Sequence, residues 1–294
     1  MQTKIYREAE MKTGLVLEGG ALRGLFTAGV LDVLMESGVT FDGMIGVSAG
    51  AAFGCNLKSY QTRRVIRYNE TYAKDWRYCS LKSLIRTGNL FGAEFAYHTI
   101  ADELDPFDNV AFERNPMEFH LVATEVHTGR AVYRKISQGG TNLYEWLRAS
   151  SAMPVLSKIV DVDGYQLLDG GIADSIPLRY FQGLGYERNL VVLTQPSSYH
   201  KTPLKTQWLI ERRFSKYPAL CKALAHRHEK YNRQILYVAE QESKGNVIVI
   251  QPEGVLPISH VTHNKAKMRE TYLIGRREAE KSLEKIKALS RQSS

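Results

Sequence analysis

The sequence predicts an α/β protein, a three-layer αβα arrangement with a mostly parallel central sheet. Three observations predict it. The first sixty residues run strand, turn, helix, strand, turn, helix. Glycine-rich turns sit where each strand gives way to its helix, at 19–24 and 46–50. Short β-branched runs recur far downstream, Leu190 to Thr194 and Val247 to Ile250. Strands that alternate with helices need crossover connections, and crossovers make parallel neighbours. The 294 residues, 44% of them apolar, suffice for one such core and exclude a disordered chain.

Each element has a local reason. Thr13 to Leu17 is short and apolar, as a buried strand should be. Leu25 to Glu36 repeats apolar residues at helical spacing (Phe26, Val30, Val33, Leu34) and stops at Ser37-Gly38. Phe41 to Val47 reads as a strand and Ala49 to Tyr60 as a helix. Thr62 to Asp105 is helical in pattern, broken near Thr87-Gly88-Asn89. Glu118 to Glu125 and Ala131 to Ile136 read as strands joined through His127-Thr128-Gly129. Tyr144 to Ala152 is a helix closed by Pro154, and Asp163-Gly164 turns a hairpin that ends at Leu167-Leu168. Tyr217, Leu220, Cys221, Leu224, His228, Tyr231, Ile235 and Val238 share one helical face, with Pro218 suited to a first turn. Ala266 to Ser290 is a charged C-terminal helix. The basic helical stretch reads as an insertion toward the C-terminus.

The formal charge of +8 is concentrated. Between His200 and Gln234 nine Lys and Arg residues, among them Lys201, Arg212, Arg213, Lys216 and Arg227, meet two acids. A stripe of that kind suits an anionic partner, with a solvated helix face as the plainer reading. A nucleic acid is not expected, because no aromatic-interleaved strand or recognition helix accompanies it. Trp208, Leu209, Ile210 and Phe214 lie within the stripe and are candidates for an acyl entrance. No apolar run approaches the roughly 20 residues of a membrane span. Met1 to Lys12 shows no apolar core of a secretory signal, and Cys55, Cys79 and Cys221 have no metal-type spacing. Free thiols and a cytoplasmic location, with peripheral membrane contact through residues 200–234, are the expectation.

Three loops carry chemistry. Gly46-Val47-Ser48-Ala49-Gly50 places a serine on a strand-to-helix turn, where its oxygen projects above the sheet beside a helix N-terminus. Glu18-Gly19-Gly20-Ala21-Leu22-Arg23-Gly24 also follows a strand and opens a helix, and its glycines let backbone N–H groups approach a ligand. It lacks the Gly-Lys-Ser/Thr of a P-loop, and Ala21 breaks the dinucleotide fingerprint. Asp169-Gly170-Gly171 supplies a carboxylate that can take a proton from a serine, although a lone Asp-Gly-Gly is usually just a turn.

Taken in order, EGGALRG at 18–24, GVSAG at 46–50 and DGG at 169–171 resemble the patatin-like phospholipase family, bacterial type. Ala149-Ser150-Ser151-Ala152-Met153-Pro154 and Thr87-Gly88-Asn89-Leu90-Phe91-Gly92 resemble it too. The resemblance is strong over residues 13–185. It implies a catalytic core there, preceded by an extension at 1–12 and followed at 186–294 by a C-terminal part of the same domain. It further implies a Ser-Asp dyad: Ser48 as nucleophile and Asp169 as general base. Gly19, Gly20 and Arg23 would form the oxyanion hole, and Gly24, Gly46, Gly50, Gly170 and Gly171 would shape the loops. The implied reaction is hydrolysis of a carboxylic ester in an acyl lipid through an acyl-enzyme, with fatty acid released and neither metal nor cofactor. Ala21 departs from the family's third glycine, and Glu18 from its usual Asp; if position 21 needs a left-handed backbone, alanine strains the oxyanion loop, and activity is expected to survive both changes.

Rival readings remain. The same fold can serve as a non-catalytic lipid- or anion-binding module, or act on thioesters. A Ser-Asp-His triad would need His200, His226, His228, His260 or His263, none of which sits in a distinctive motif. His226 and His228 read as surface residues, and His260 and His263 as loop residues.

Overall fold

The computed structural model describes residues 11–205 and 207–291. The extension expected at 1–12 therefore lies outside the described residues up to residue 10, and Lys12 already begins the first strand.

In chain order the elements are β1 (Lys12–Leu17), α1 (Gly24–Glu36), β2 (Gly43–Val47), α2 (Ala49–Lys58), α3 (Arg64–Tyr72) and α4 (Leu81–Thr87). A π-wound segment (Phe95–Leu104), α5 (Asn109–Arg114), β3 (Glu118–Glu125), β4 (Ala131–Ile136) and α6 (Thr141–Ser150) follow. Then come β5 (Val160–Val162), β6 (Tyr165–Asp169), α7 (Leu178–Gly183), β7 (Tyr186–Val192), α8 (Gln207–Arg213), α9 (Pro218–Ala225), α10 (Arg227–Ser243), β8 (Val247–Ile250) and α11 (Lys265–Arg291).

The sheet is mixed. β3, β2, β1, β7 and β8 run parallel, and β4, β6 and β5 extend it by antiparallel pairing. The hairpin turn at Asp163-Gly164 has positive φ at both residues, 47° and 80°, as a two-residue turn between twisted strands requires. β7 stops at Val192, two residues short of the predicted end, because the N–H of Thr194 goes to the Glu18 carboxylate instead of to a strand.

Alternation along the strands sorts the core into two faces. Leu15, Leu17 and Met44 face a layer with α1, α2 and α6, whereas Val16, Ile45 and Val191 face Phe181 of α7 with Tyr231 and Val238 of α10. The basic stretch is thus no simple insertion: its longest helix, α10, helps form the second covering layer. On the first face α1 is buried from Gly24 to Leu34 and lies against α11. The two backbones touch: a Cβ on Gly29 would come within 2.1 Å of Tyr272 O, and one on Gly275 within 1.9 Å of Phe26 O. Tyr272 also donates its hydroxyl to buried Asp32 at 2.7 Å, which pins the crossing.

Candidate active site

β3 brings the predicted residues together. β4 occupies one edge of β3 from Phe119 to Thr124, so β2 and β6 must both use the other. β2 pairs there with Glu118 to Val122, and β6 pairs with Ala123 to Glu125 in the opposite direction. The two strands meet end to end: Ser48 follows the last residue of β2, and Asp169 is the last residue of β6, paired with Ala123.

Ser48 leaves β2 with φ 54° and ψ −124°, a strained conformation for a residue with a Cβ. Its N–H would be orphaned at the end of β2. Ser150, at the end of α6 and fully buried, fills the gap: its Oγ accepts from Ser48 N at 2.8 Å and donates to Val122 O at 2.6 Å. Gly50 lets the start of α2 press on β1, where a Cβ would sit 2.5 Å from Leu17 O. Replacing Ser150 with alanine leaves a buried donor and a buried acceptor unpaired at once. The expected cost is about 2 kcal/mol of stability, read as a lower urea midpoint at unchanged m value.

The glycine loop hangs on Glu18. This buried carboxylate accepts from Thr194 N at 2.6 Å and from Tyr231 OH at 2.9 Å. Gly19 lies against Ser48, whose Cβ would be 2.8 Å from any Cβ placed there. Among the described residues no protein group accepts from the N–H of Gly19, Gly20 or Ala21. Ala21 has φ 49°, so the departure at that position does fall in the left-handed region. Alanine there costs about 1–2 kcal/mol of strain that glycine would avoid. Gly24 opens α1, and Gly46 lies within β2. Gly170 and Gly171 form a single 3₁₀ turn after β6.

Asp169 Oδ1 accepts from Gly171 N at 2.7 Å. Burial raises its pKa. The Arg227 guanidinium, the nearby Ser48 hydroxyl, the Gly171 N–H and Lys201 pull the other way. These two cations carry the basic stripe into the site. Both line the cleft with Ser48 and Asp169, and Arg227 donates Nε to Gly171 O at 2.6 Å. His260, read as a loop residue, is there too. Its Nε2 accepts from Arg23 Nη1 at 2.8 Å, and partial burial with Arg23, Lys201 and Arg227 nearby lowers its pKa to about 4.

Two clefts meet at Ser48. The first, about 630 Å³, is polar and cationic, lined by Arg23, Asp169, Lys201, Arg227, Tyr231 and His260 beside the glycine loop. The second, about 560 Å³, is apolar, lined by Leu22, Phe53, Tyr68, Tyr78, Phe91 and Tyr97. Ala21, Ser48 and Met153 belong to both. Residues 15–181 match the family model "Patatin-like phospholipase", which is more than half of the chain. The chain belongs to the patatin-like phospholipase family. Residues 217–291 match a second family model, a domain of unknown function, DUF6363.

Three relatives illustrate the range. The uncharacterized protein YjjU of Escherichia coli is 29% identical over 90% of this chain and 75% of its own length. The uncharacterized NTE family protein Rv1063c of Mycobacterium tuberculosis is 28% identical over 62% of this chain and 48% of its own. Lysophospholipase nte1 of Aspergillus niger is 28% identical over 58% of this chain, which spans only 11% of that protein.

The patatin-like span carries the apolar cleft, but the stripe does not line it as expected. Ile210 and Phe214 are buried in the core, and Trp208 and Leu209 are exposed; none of the four lines either cleft. Tyr68, Tyr78 and Tyr97, from α3, the loop before α4 and the π-wound segment, take that place. The sequence shows a helical pattern over 62–105, but not the convergence of these three tyrosines on Ser48. His226, between α9 and α10, is exposed, whereas His228, read as a surface residue, is half-buried in α10. His263 binds Ala73 O at 2.5 Å, away from Ser48.

Proposed function

We propose that the chain is a serine lipid acyl hydrolase that works through Ser48 and Asp169. Ser48 Oγ attacks the acyl carbonyl while Asp169 takes its proton. The unpaired N–H groups of Gly19 and Gly20 receive the developing oxyanion, with the positive charge of Arg23 close by. Collapse of the intermediate returns the proton from Asp169 to the leaving alcohol and leaves an acyl ester on Ser48. Water, deprotonated by Asp169, then releases the fatty acid. The acyl chain occupies the aromatic cleft. The observation that carries this reading is the end-to-end meeting of β2 and β6, which sets serine and carboxylate side by side at the junction of a polar and an apolar cleft. The test is a fluorophosphonate probe followed by peptide mapping. Modification at Ser48 supports the reading, and modification elsewhere or nowhere refutes it.

The substrate class follows from the family and from the name of the fungal relative: acyl esters of phospholipids or lysophospholipids. No helix of the described residues is long and apolar enough to cross a membrane. Acyl lipids gather at membrane surfaces, and α8 with its flanks offers a face to meet one. Leu204, Trp208 and Leu209 are exposed beside Arg212, Arg213 and Lys216, also exposed. Each cation near an anionic bilayer contributes about 1 kcal/mol. Wild type is expected to bind anionic vesicles at low salt and release them at high salt. Changing Arg212, Arg213 and Lys216 together to glutamate should weaken binding at least tenfold in a flotation assay. Binding indifferent to charge and salt would refute this surface.

A further inference from the structure

The polar cleft holds three cations, Arg23, Lys201 and Arg227, against two carboxylates, Glu18 and Asp169. Among the described residues no carboxylate lies within salt-bridge distance of Arg23, Lys201 or Arg227. Arg23 meets only His260, and its buried Nε has no partner. Arg227 spends Nε on Gly171 O. The Lys201 ammonium lies 4.4 Å from the centre of the Tyr231 ring. Burial, and then the charges of Arg227 and Arg23, lower its pKa to about 8 against the opposite pull of Glu18 and Asp169. The two carboxylates of the cleft have other partners: Glu18 accepts from Thr194 and Tyr231, and Asp169 accepts from Gly171 N. Like charges crowded into a concave site are stable when an anion joins them, and guanidinium groups match the oxygens of phosphate.

We propose that Lys201 and Arg227, with Arg23, form a phosphate subsite on the polar side of Ser48, which selects acyl esters bearing a phosphomonoester over uncharged acyl glycerols. The inference rests on the hydrolase reading and deepens it. The aromatic cleft holds the acyl chain, the ester lies at Ser48, and the phosphate lies across the junction, among the cations. A doubly charged phosphomonoester suits three cations better than a zwitterionic head, whose ammonium would meet no free carboxylate. Lys201 and Arg227 lie outside the patatin-like match, and Arg227 and His260 come from the domain of unknown function. That segment thereby acquires a role: it completes the head-group side of the site.

The test compares lysophosphatidate with a monoacylglycerol of the same acyl chain, measuring kcat/KM for each below its critical micelle concentration. In Lys201→Gln and Arg227→Gln the lysophosphatidate-to-monoacylglycerol ratio is expected to fall at least tenfold. Lys201→Arg should restore it. If the cations served only to tune Asp169, both substrates would suffer alike and the ratio would stand; that result overturns the proposal. Glycerol 3-phosphate binding to Ser48→Ala protein, followed by calorimetry, needs no turnover. Binding that Lys201→Gln weakens supports the subsite even if wild type hydrolyses neither ester, which would refute the hydrolase reading alone. No binding at millimolar ligand overturns the subsite whatever the activity.

Discussion

Ser48→Ala is expected to lower kcat/KM on a short-chain ester by about 10³-fold or more and to abolish fluorophosphonate labelling. A serine that forms the covalent intermediate has no substitute, and what survives its loss is the contribution of binding and the oxyanion groups alone. The variant should fold normally. The N–H of residue 48 still meets Ser150 Oγ, and alanine meets the same backbone strain at φ 54° as serine does. Matching thermal unfolding of the two proteins would therefore attribute the lost rate to the hydroxyl. Turnover and labelling that persist in Ser48→Ala would remove the nucleophile assignment. The cleft would then have to be read as a binding site.

The strained serine was visible in the sequence because its causes are local. A glycine before and after, a strand behind and a small-residue helix ahead all lie within a few positions of Ser48. The hairpin at Asp163-Gly164 was legible for the same reason, since two residues with positive φ need Asp-Gly chemistry. The meeting of Ser48 with Asp169 was not local. It depends on β2 and β6 sharing one edge of β3, a property of strand order that no short window contains. The cations show the limit most clearly. Lys201 and Arg227 carry the same charge as exposed Arg212 and Lys216, and composition cannot say which of them turns inward. For Ile210 and Phe214 the signal existed: they are four residues apart and fall on one helical face, which points to packing in the core rather than to an entrance.

Asp169→Asn separates the dyad from a histidine-based alternative. Asparagine keeps an oxygen for the Gly171 N–H, which Asp169 Oδ1 accepts at 2.7 Å, so the turn survives. Its amide nitrogen cannot take the serine proton. The expected loss in kcat/KM is about 10²–10⁴-fold, the usual worth of a general base. In wild type the acid limb of the pH–rate profile belongs to Asp169. Only the ionised carboxylate can accept a proton, and burial raises its pKa, so activity should fall with decreasing pH at a midpoint above the ordinary aspartate value. The profile alone does not decide the matter, because His260, lowered to about 4, would also be lost as base in acid. The two variants do decide it. His260→Gln should retain activity within about tenfold, since His260 hydrogen-bonds Arg23 rather than Ser48. Near-normal turnover in Asp169→Asn together with collapse in His260→Gln would move the base across the cleft. The reverse pattern leaves the serine with a carboxylate as its proton acceptor, set beside it by the two strand ends that share one edge of β3.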